Sequence, residues 1–210
     1  MQPFGGFIMP IQYSNIADEH NAVRQHCGVF DVSHMGEVTV KGPDAERYVN
    51  HIFTNDVRGA EPGKIFYGMM CYENGGTVDD LLVYKMAEND FFLVINAANI
   101  DKDVAWMESH LEGYDVEFKN CSEQYGQLAV QGPEAEQVVE EVLGLTCKEL
   151  TFYTTKTIDV AGETIIISRT GYTGEDGFEI YASHAYINEQ WDKLLASSRC
   201  KPCGLGCRDT

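Results

Sequence analysis

Basic side chains are scarce in this sequence. Lysine and arginine number 15 against 33 aspartates and glutamates, which gives a formal net charge of −18. Nucleic acids and anionic membranes bind basic surfaces, so this balance predicts neither as a partner. Most of the acidic residues are expected to serve solubility.

Long apolar runs and targeting signals are also missing. No run approaches the roughly 18 apolar residues of a membrane span. The N-terminus, MQPFGGFIMPIQYS, lacks the basic start and apolar core of a signal peptide and the arginines of a transit peptide. These absences predict a cytoplasmic protein, or a mitochondrial-matrix protein if the source is eukaryotic.

Several common catalytic motifs are absent. The sequence contains no G-x-S-x-G nucleophile motif, no Walker loop and no G-x-G-x-x-G. Serine-triad hydrolysis and phosphate-cradling functions are therefore disfavoured.

The seven cysteines are an odd count without a secretion signal, which indicates reduced thiols. Cys200, Cys203 and Cys207 form C-x2-C-x3-C, which resembles part of a zinc or iron–sulfur site, but a fourth ligand is not obvious. The alternative, small buried side chains beside a glycine-rich turn, is favoured, and no metal is expected.

The pattern of short β-branched runs and amphipathic stretches predicts an α+β protein. The predicted elements include an amphipathic helix over residues 97–111 and strands near 152–159 and over 163–168. A weak repeat supports two similar units: VTVKGPDAE at residues 38–46 and LAVQGPEAE at 128–136. Each copy predicts a strand, a Gly-Pro step with proline at the first helical position, and a helix with an acidic first turn. Two such β-α-β-β units in tandem predict antiparallel sheets.

The most distinctive stretch is SRTGYTGEDGFE at residues 168–179, which lies between two predicted strands. Its three glycines permit positive φ or close approach of backbone to a ligand. Glu179 stands between Phe178 and Ile180 and is predicted to point to the opposite face of its strand. From the residues alone, this segment is either a surface hairpin with a long polar loop or a loop that binds a ligand.

A second acidic feature follows the turn ENGG. Asp79 and Asp80 open the predicted strand VDDLLVY, and alternation places them on opposite faces. One of them must therefore point toward a core or pocket, where burial shifts its pKa. The alternative is a pair of hydrated acids that ends a turn.

Seven segments in order resemble the aminomethyltransferases, the T-protein family of the glycine cleavage system. They are FDVSHMG (30–36), KGP (41–43), NGGTVDDLLVY (74–84), VINAAN (94–99), QGP (131–133), SRTGYTGEDGFE (168–179) and GLGCRD (204–209). The resemblance implies two tandem ferredoxin-like, antiparallel-sheet subdomains. It places a discontinuous folate-binding subdomain at 1–38 and 126–210, and a ferredoxin-like subdomain at 39–125. Family members are longer and end in a C-terminal barrel, so the chain is expected to be the N-terminal half to three-fifths of such a protein.

The resemblance also implies a reaction. The methylene of an aminomethyl group on the dihydrolipoyl arm of the H-protein passes to tetrahydrofolate, giving 5,10-methylenetetrahydrofolate and ammonia. Tetrahydrofolate and the lipoylated H-protein are the implied co-substrate and partner, and no metal is needed.

Site residues follow position by position from the family motifs. Asp80, the second aspartate of NGG-x-x-DD, is the implied catalytic residue, and Glu179 and Arg208 are implied folate contacts. The alternatives are a solvent-facing acid for Glu179 and a surface ion pair for Arg208. Further implied or expected pocket residues are Met35, Tyr67, Asn96, Tyr153 and Tyr172. Asn96 could instead cap a helix, and His34 is expected to be structural.

Other interpretations stay open. A non-catalytic fragment, or the folate-binding domain of a dimethylglycine- or sarcosine-oxidising relative, would share the fold. The iron–sulfur maturation branch carries K-G-C-Y-x-G-Q-E, which is absent here. A metal-binding scaffold built on the three C-terminal cysteines is the remaining alternative.

Overall fold

The computed structural model describes all 210 residues, which divide into two compact units. The first unit contains Met1–His34 and Gln124–Thr210, and the second unit is Met35–Glu123. None of the helices is both long enough and apolar enough to cross a membrane.

Thirteen strands and six α-helices make up the chain. The strands are β1 (Gln2–Phe4), β2 (Phe7–Met9), β3 (Gly28–Asp31), β4 (Gly36–Lys41), β5 (Ile65–Cys71), β6 (Thr77–Ala87), β7 (Asp90–Ile95), β8 (Glu117–Asn120), β9 (Gly126–Gln131), β10 (Thr155–Val160), β11 (Glu163–Ser168), β12 (Gly177–Ala182) and β13 (Lys201–Pro202). The helices are α1 (Ile16–Gln25), α2 (Ala45–Ile52), α3 (Ile100–Glu108), α4 (Ala135–Val138), α5 (His184–Ala196) and α6 (Leu205–Arg208). A π-helical segment, Val139–Leu143, continues α4.

The second unit is a five-stranded antiparallel sheet in the order β5-β6-β7-β4-β8. Alternation along β6 sends Leu81 and Val83 into a core that also contains Tyr48 and Val49 of α2 and Met107 of α3. The two helices therefore cover one face of the sheet, and Asp80 lies on the other face.

The first unit is a six-stranded sheet in the order β10-β11-β12-β9-β3-β13. Its pairs are antiparallel except for β13 with β3, which is parallel and departs from the antiparallel expectation. Phe178 and Ile180 pack into the helix-covered core. Register places Glu179 opposite Ala129, which is opposite Phe30, so these three share one row on the other face.

The repeated Gly-Pro motif forms the same strand-to-helix junction in both units. Gly42 and Gly132 have φ values of +127° and +135°, a region that favours glycine. A Cβ on Gly132 would lie 2.4 Å from the carbonyl oxygen of His26. The predicted placement of Pro43 at the first helical position is wrong, because α2 begins two residues later at Ala45.

Two other boundaries and one further element differ from the sequence-based expectation. The predicted helix over residues 97–111 is a 3₁₀ turn, Ala97–Asn99, followed by the shorter α3. The strand expected from residue 152 starts at Thr155, because Tyr153 adopts a left-handed φ of 62°. The β1–β2 hairpin was not predicted.

Candidate functional site

The second unit presents Asp80 on the exposed side of β6. Its neighbour Asp79 shares the core-facing side with Leu81 and is 9% exposed. Asp80 is half-buried on the opposite face, where register places it beside Met69 of β5. The alternation predicted from the sequence therefore gives the two carboxylates different environments.

Both oxygens of the Asp80 carboxylate accept hydrogen bonds. The Tyr67 hydroxyl donates to Oδ2 at 2.7 Å, and Asn96 Nδ2 donates to Oδ1 at 3.0 Å. Tyr67 of β5 pairs with Leu82, two residues along β6 from Asp80, and is 54% exposed. Asp80 is consequently oriented from two sides, by Tyr67 of β5 and by Asn96, which follows β7.

Asn96 links the two aspartates rather than capping a helix. It occupies the N-cap position of the 3₁₀ turn, but its side chain makes no capping bond. Its Nδ2 also donates to Asp79 Oδ1 at 3.1 Å, while Asn99 Nδ2 donates to Asp79 Oδ2 at 2.9 Å. The VINAAN segment thus supplies two amides that hold the aspartate pair.

A third carboxyl group, missed by the sequence analysis, lies behind this pair. Asp103 of α3 is fully buried and hydrogen-bonds to Asp79. Burial, and then the bond to Asp79, raise the pKa of Asp103 to about 7. Burial opposes ionisation of Asp79, but bonds from Asp103, Asn99, the Asp80 N–H and Asn96 outweigh it and lower the pKa of Asp79.

In the first unit, Glu179 is buried and held by two donors. Gln127 Nε2 donates to Oε1 at 2.9 Å, and the Thr170 hydroxyl donates to Oε2 at 2.5 Å. Burial raises the pKa of Glu179, against those two bonds and the positive charge of Arg208. The surface-acid alternative for Glu179 is therefore wrong, since the side chain is 4% exposed.

Arg208 lies among aromatic rings. Its guanidinium carbon is 4.8 Å from the centroid of Tyr172 and 5.7 Å from that of Phe4. Its Nη1 is buried and has no hydrogen-bond partner, so Arg208 is not the surface ion pair of the alternative interpretation. Arg208 and Tyr172 line a cavity of about 270 Å³, and Phe30 meets the Tyr172 ring edge-on at 5.8 Å.

His34 lines the same cavity as a neutral side chain. Burial, and then the positive charge of Arg208, lower the pKa of His34 to about 4, although Asp31 opposes this shift. Its ring meets Phe4 and Phe7 with centroids 5.5 and 6.1 Å apart. This environment agrees with a packing role and removes the imidazolium form at pH 7.

Arg169 holds the glycine-rich loop between β11 and β12 in place through hydrogen bonds. Arg169 Nε and Nη2 donate to the two carboxylate oxygens of Asp176 at 2.8 and 2.5 Å, and Nη1 donates to the Leu150 carbonyl at 3.0 Å. A Cβ on Gly171 would lie 2.0 Å from the side chain of Gln131. The loop is therefore an ordered element in which glycine admits close packing.

The remaining predicted residues lie in different settings. Tyr153 has its pKa raised by burial and by the charge of Glu179, which places it near that carboxylate. Met35 is the first residue of the second unit and is half-buried just before β4. Glu179, Arg208, Tyr172 and Tyr153 thus belong to the first unit, whereas Met35 and the Asp80 cluster belong to the second.

The C-terminal cysteines pair as thiols. Cys200 Sγ is 3.4 Å from Cys27 Sγ, and Cys203 hydrogen-bonds to Cys207. All four are buried, and the structure contains no group of three or more His, Cys, Asp or Glu side chains arranged to hold a metal ion.

The two sheets and their polar clusters define the class. The chain has an α+β fold of two units. The first unit contains the buried Glu179, the guanidinium of Arg208 and aromatic rings, and the second contains Asp80, which accepts a hydrogen bond from the Asn96 amide. The GCVT N-terminal domain family matches the chain over residues 1–210, and the chain belongs to that family.

Relatives and solved structures agree with this assignment. Aminomethyltransferases from Alkaliphilus metalliredigens (strain QYMF) and Bacillus mycoides (strain KBAB4) are 50% and 52% identical over 211 residues, covering 99% of this chain and 57% of their own. The crystal structure of glycine cleavage system aminomethyltransferase T from Bartonella henselae has a TM-score of 0.93 at 34% identity, covering 99% of this chain and 56% of that one. The chain therefore spans somewhat more than half the length of these relatives.

A more distant structure shows the fold alone. The heterotetrameric sarcosine oxidase of Corynebacterium sp. U-96, in complex with pyrrole 2-carboxylate, has a TM-score of 0.59 at 16% identity, covering 87% of this chain and 90% of that one.

Proposed function

We propose that this chain is the part of an aminomethyltransferase that binds tetrahydrofolate and carries the catalytic carboxylate. In the proposed reaction, the methylene of an H-protein-bound aminomethyl group forms bonds to tetrahydrofolate. The carbon–sulfur bond breaks to leave the dihydrolipoyl arm, and the carbon–nitrogen bond breaks to release ammonia. The relatives named aminomethyltransferase support this assignment.

Asp80 is the proposed catalytic residue. Its carboxylate is fixed by Tyr67 and Asn96, so it need not reorient when positive charge develops on an iminium-like carbon or a folate nitrogen. A preoriented negative group stabilises that charge more than mobile water does. The rest of the catalysis is proposed to come from holding the reacting atoms in position.

Glu179 and Arg208 are the proposed folate contacts in the first unit. A pterin carries an amino-pyrimidine edge with two neighbouring donors, which one carboxylate can accept. Arg208 offers a buried Nη1 donor without a protein partner, and Tyr172 offers a flat wall.

The observation that carries the folate proposal is the buried, donor-held carboxylate of Glu179. Isothermal titration of the chain with tetrahydrofolate or its 5-formyl analogue tests it. We expect saturable binding that falls at least tenfold in Glu179→Gln, because the amide has no negative charge and replaces one acceptor oxygen with an NH2 donor.

A matched control is Glu189→Gln, an exposed glutamate on α5 of the same unit. It should bind as the unaltered chain does. Equal binding by both variants would remove Glu179 from the site, and no binding by a folded chain would count against a folate site within these residues.

A further inference from the structure

Three carboxyl groups form a connected row in the second unit. Asp80 is joined to Asp79 through Asn96, whose Nδ2 lies 3.0 Å from Asp80 Oδ1 and 3.1 Å from Asp79 Oδ1. Asp79 in turn is hydrogen-bonded to Asp103. The row runs from the exposed face of β6 to the buried side of α3.

The two inner carboxyl groups cannot both be ionised without a large cost. Asp103 is completely buried, and neither of its oxygens receives a hydrogen bond from an amide, hydroxyl or backbone N–H. Lys102 Nζ lies 3.2 Å from Asp103 Oδ1 and also donates to the Val78 carbonyl, so its positive charge offsets only part of the cost of ionising Asp103. Two carboxyl groups in contact therefore share a proton.

The donors decide which group carries that proton. Asp79 accepts from Asn96, Asn99 and the Asp80 N–H, all of which favour its ionised form. Asp103 has no amide, hydroxyl or backbone donor and is reached only by the Lys102 ammonium, so we assign the neutral acid to Asp103, with its O–H donating to Asp79. The direction of the pKa shifts at Asp79 and Asp103 agrees with this assignment.

We propose that protonated Asp103 and ionised Asp79 act as a pair that positions Asp80 through Asn96. The pair keeps Asp79 as a singly charged acceptor, which fixes the Asn96 amide between the two aspartates. Loss of the shared proton places a second negative charge beside Asp79 and breaks the bond that orients it. The ionisable groups acting on Asp103 are Asp79 and Lys102. The functional part of this inference rests on the proposed role of Asp80.

The first test needs no enzymatic activity. Aspartate carboxyl carbons of the isotopically labelled chain are followed by NMR from pH 4 to 9. Asp103 should titrate with an apparent pKa near 7, and the Asp80 resonance should show an inflection at the same pH. In Asp103→Asn, whose amide replaces the neutral acid as donor, the Asp80 inflection should disappear.

Asp101→Asn is the matched control, since Asp101 is exposed on the same helix. It should keep the Asp80 inflection. An Asp103 that titrates like an exposed aspartate, or an Asp80 inflection that persists in Asp103→Asn, would overturn the shared-proton pair.

The second test uses the complete protein and its aminomethyl-transfer rate. The rate should fall as pH rises through 7 in the unaltered protein, and this fall should vanish in Asp103→Asn, mainly in kcat. Asp103→Ala, which removes the donor, should lose at least tenfold in kcat at pH 6. A pH profile unchanged in Asp103→Asn would overturn the positioning role. If the unaltered protein shows no transfer, the proposed function is wrong. The NMR test then decides by itself whether Asp79 and Asp103 share a proton.

Discussion

At the scale of residues, the arrangement around Asp80 makes a direct prediction about turnover. In the complete protein, Asp80→Asn should lower the proposed transfer rate by about two to three orders of magnitude, because the variant removes the negative charge while conserving the shape of the side chain. Steady-state transfer from the aminomethylated H-protein to tetrahydrofolate measures the effect. The thermal unfolding temperature should change little, since Asp80 is half-buried on the face of β6 opposite the helix-covered core.

Asp90→Asn provides a control in the same unit. Asp90 forms an exposed ion pair with Lys41, and such pairs contribute about 0–1 kcal/mol. This variant should retain both rate and stability. A near-normal rate in Asp80→Asn would remove Asp80 from the chemistry.

The sequence predicted which way site residues point where they lie on strands, because side chains alternate between the two faces of a strand. It placed Asp79 and Asp80 on opposite faces and turned Glu179 away from Phe178, and the structure confirms both orientations. It could not reveal Asp103, because the contact between that residue and Asp79 depends on how α3 packs against β6. The use of Asn96 as a link rather than a cap likewise depends on tertiary structure.

At the scale of elements, the Gly-Pro junctions predict a large cost for adding one methyl group. Gly132→Ala should destabilise the protein by about 3 kcal/mol, because the new Cβ meets the His26 carbonyl oxygen at 2.4 Å and φ is +135°. Urea unfolding monitored by circular dichroism measures the change.

Gly144→Ala separates backbone strain from steric overlap. Gly144 has a φ of +71°, but a Cβ there meets no atom within 4 Å. Its cost should therefore be only about 1–2 kcal/mol. Equal losses in the two variants would show that the close approach to His26 is unimportant.

The local sequence pattern predicted most of the helices and strands, and each exception has a physical cause. β11 was predicted with its observed bounds because its β-branched run ends where the glycine-rich loop begins. The start of β10 was misplaced because nothing in the local sequence announces a left-handed Tyr153. The parallel pairing of β13 with β3 joins segments far apart in the chain, so no local pattern indicates it.

At the scale of the whole molecule, one buried acid predicts how stability depends on pH. Glu37 of β4 is completely buried, and neither carboxylate oxygen has a partner. Burial raises the pKa of Glu37 to about 9, above its ordinary value of 4.5. The folded state therefore binds more protons than the unfolded state between these values, so the free energy of unfolding falls as pH rises through that window.

The expected slope from Glu37 is roughly 1.4 kcal/mol per pH unit. Below about pH 7 the raised pKa of Asp103 steepens this slope and the lowered pKa of His34 opposes it, so the contribution of Glu37 is read above pH 7. Urea unfolding at pH values from 5 to 9 measures it. Glu37→Gln should remove most of the slope above pH 7 because the amide does not titrate. A slope that persists there in Glu37→Gln would assign the pH dependence to other groups.

The first unit is built from two separate stretches of the chain, and this has a consequence for its synthesis on the ribosome. β3 pairs with β9 and β13, yet β9 begins only at Gly126 and β13 at Lys201. Residues 35–123 form a contiguous unit whose synthesis is complete while Val29 and Phe30 still lack their sheet partners. At roughly 5–20 residues per second, the apolar β3 waits about 5–20 s for β9 to emerge, and during this interval the nascent chain is most exposed to aggregation and chaperone capture.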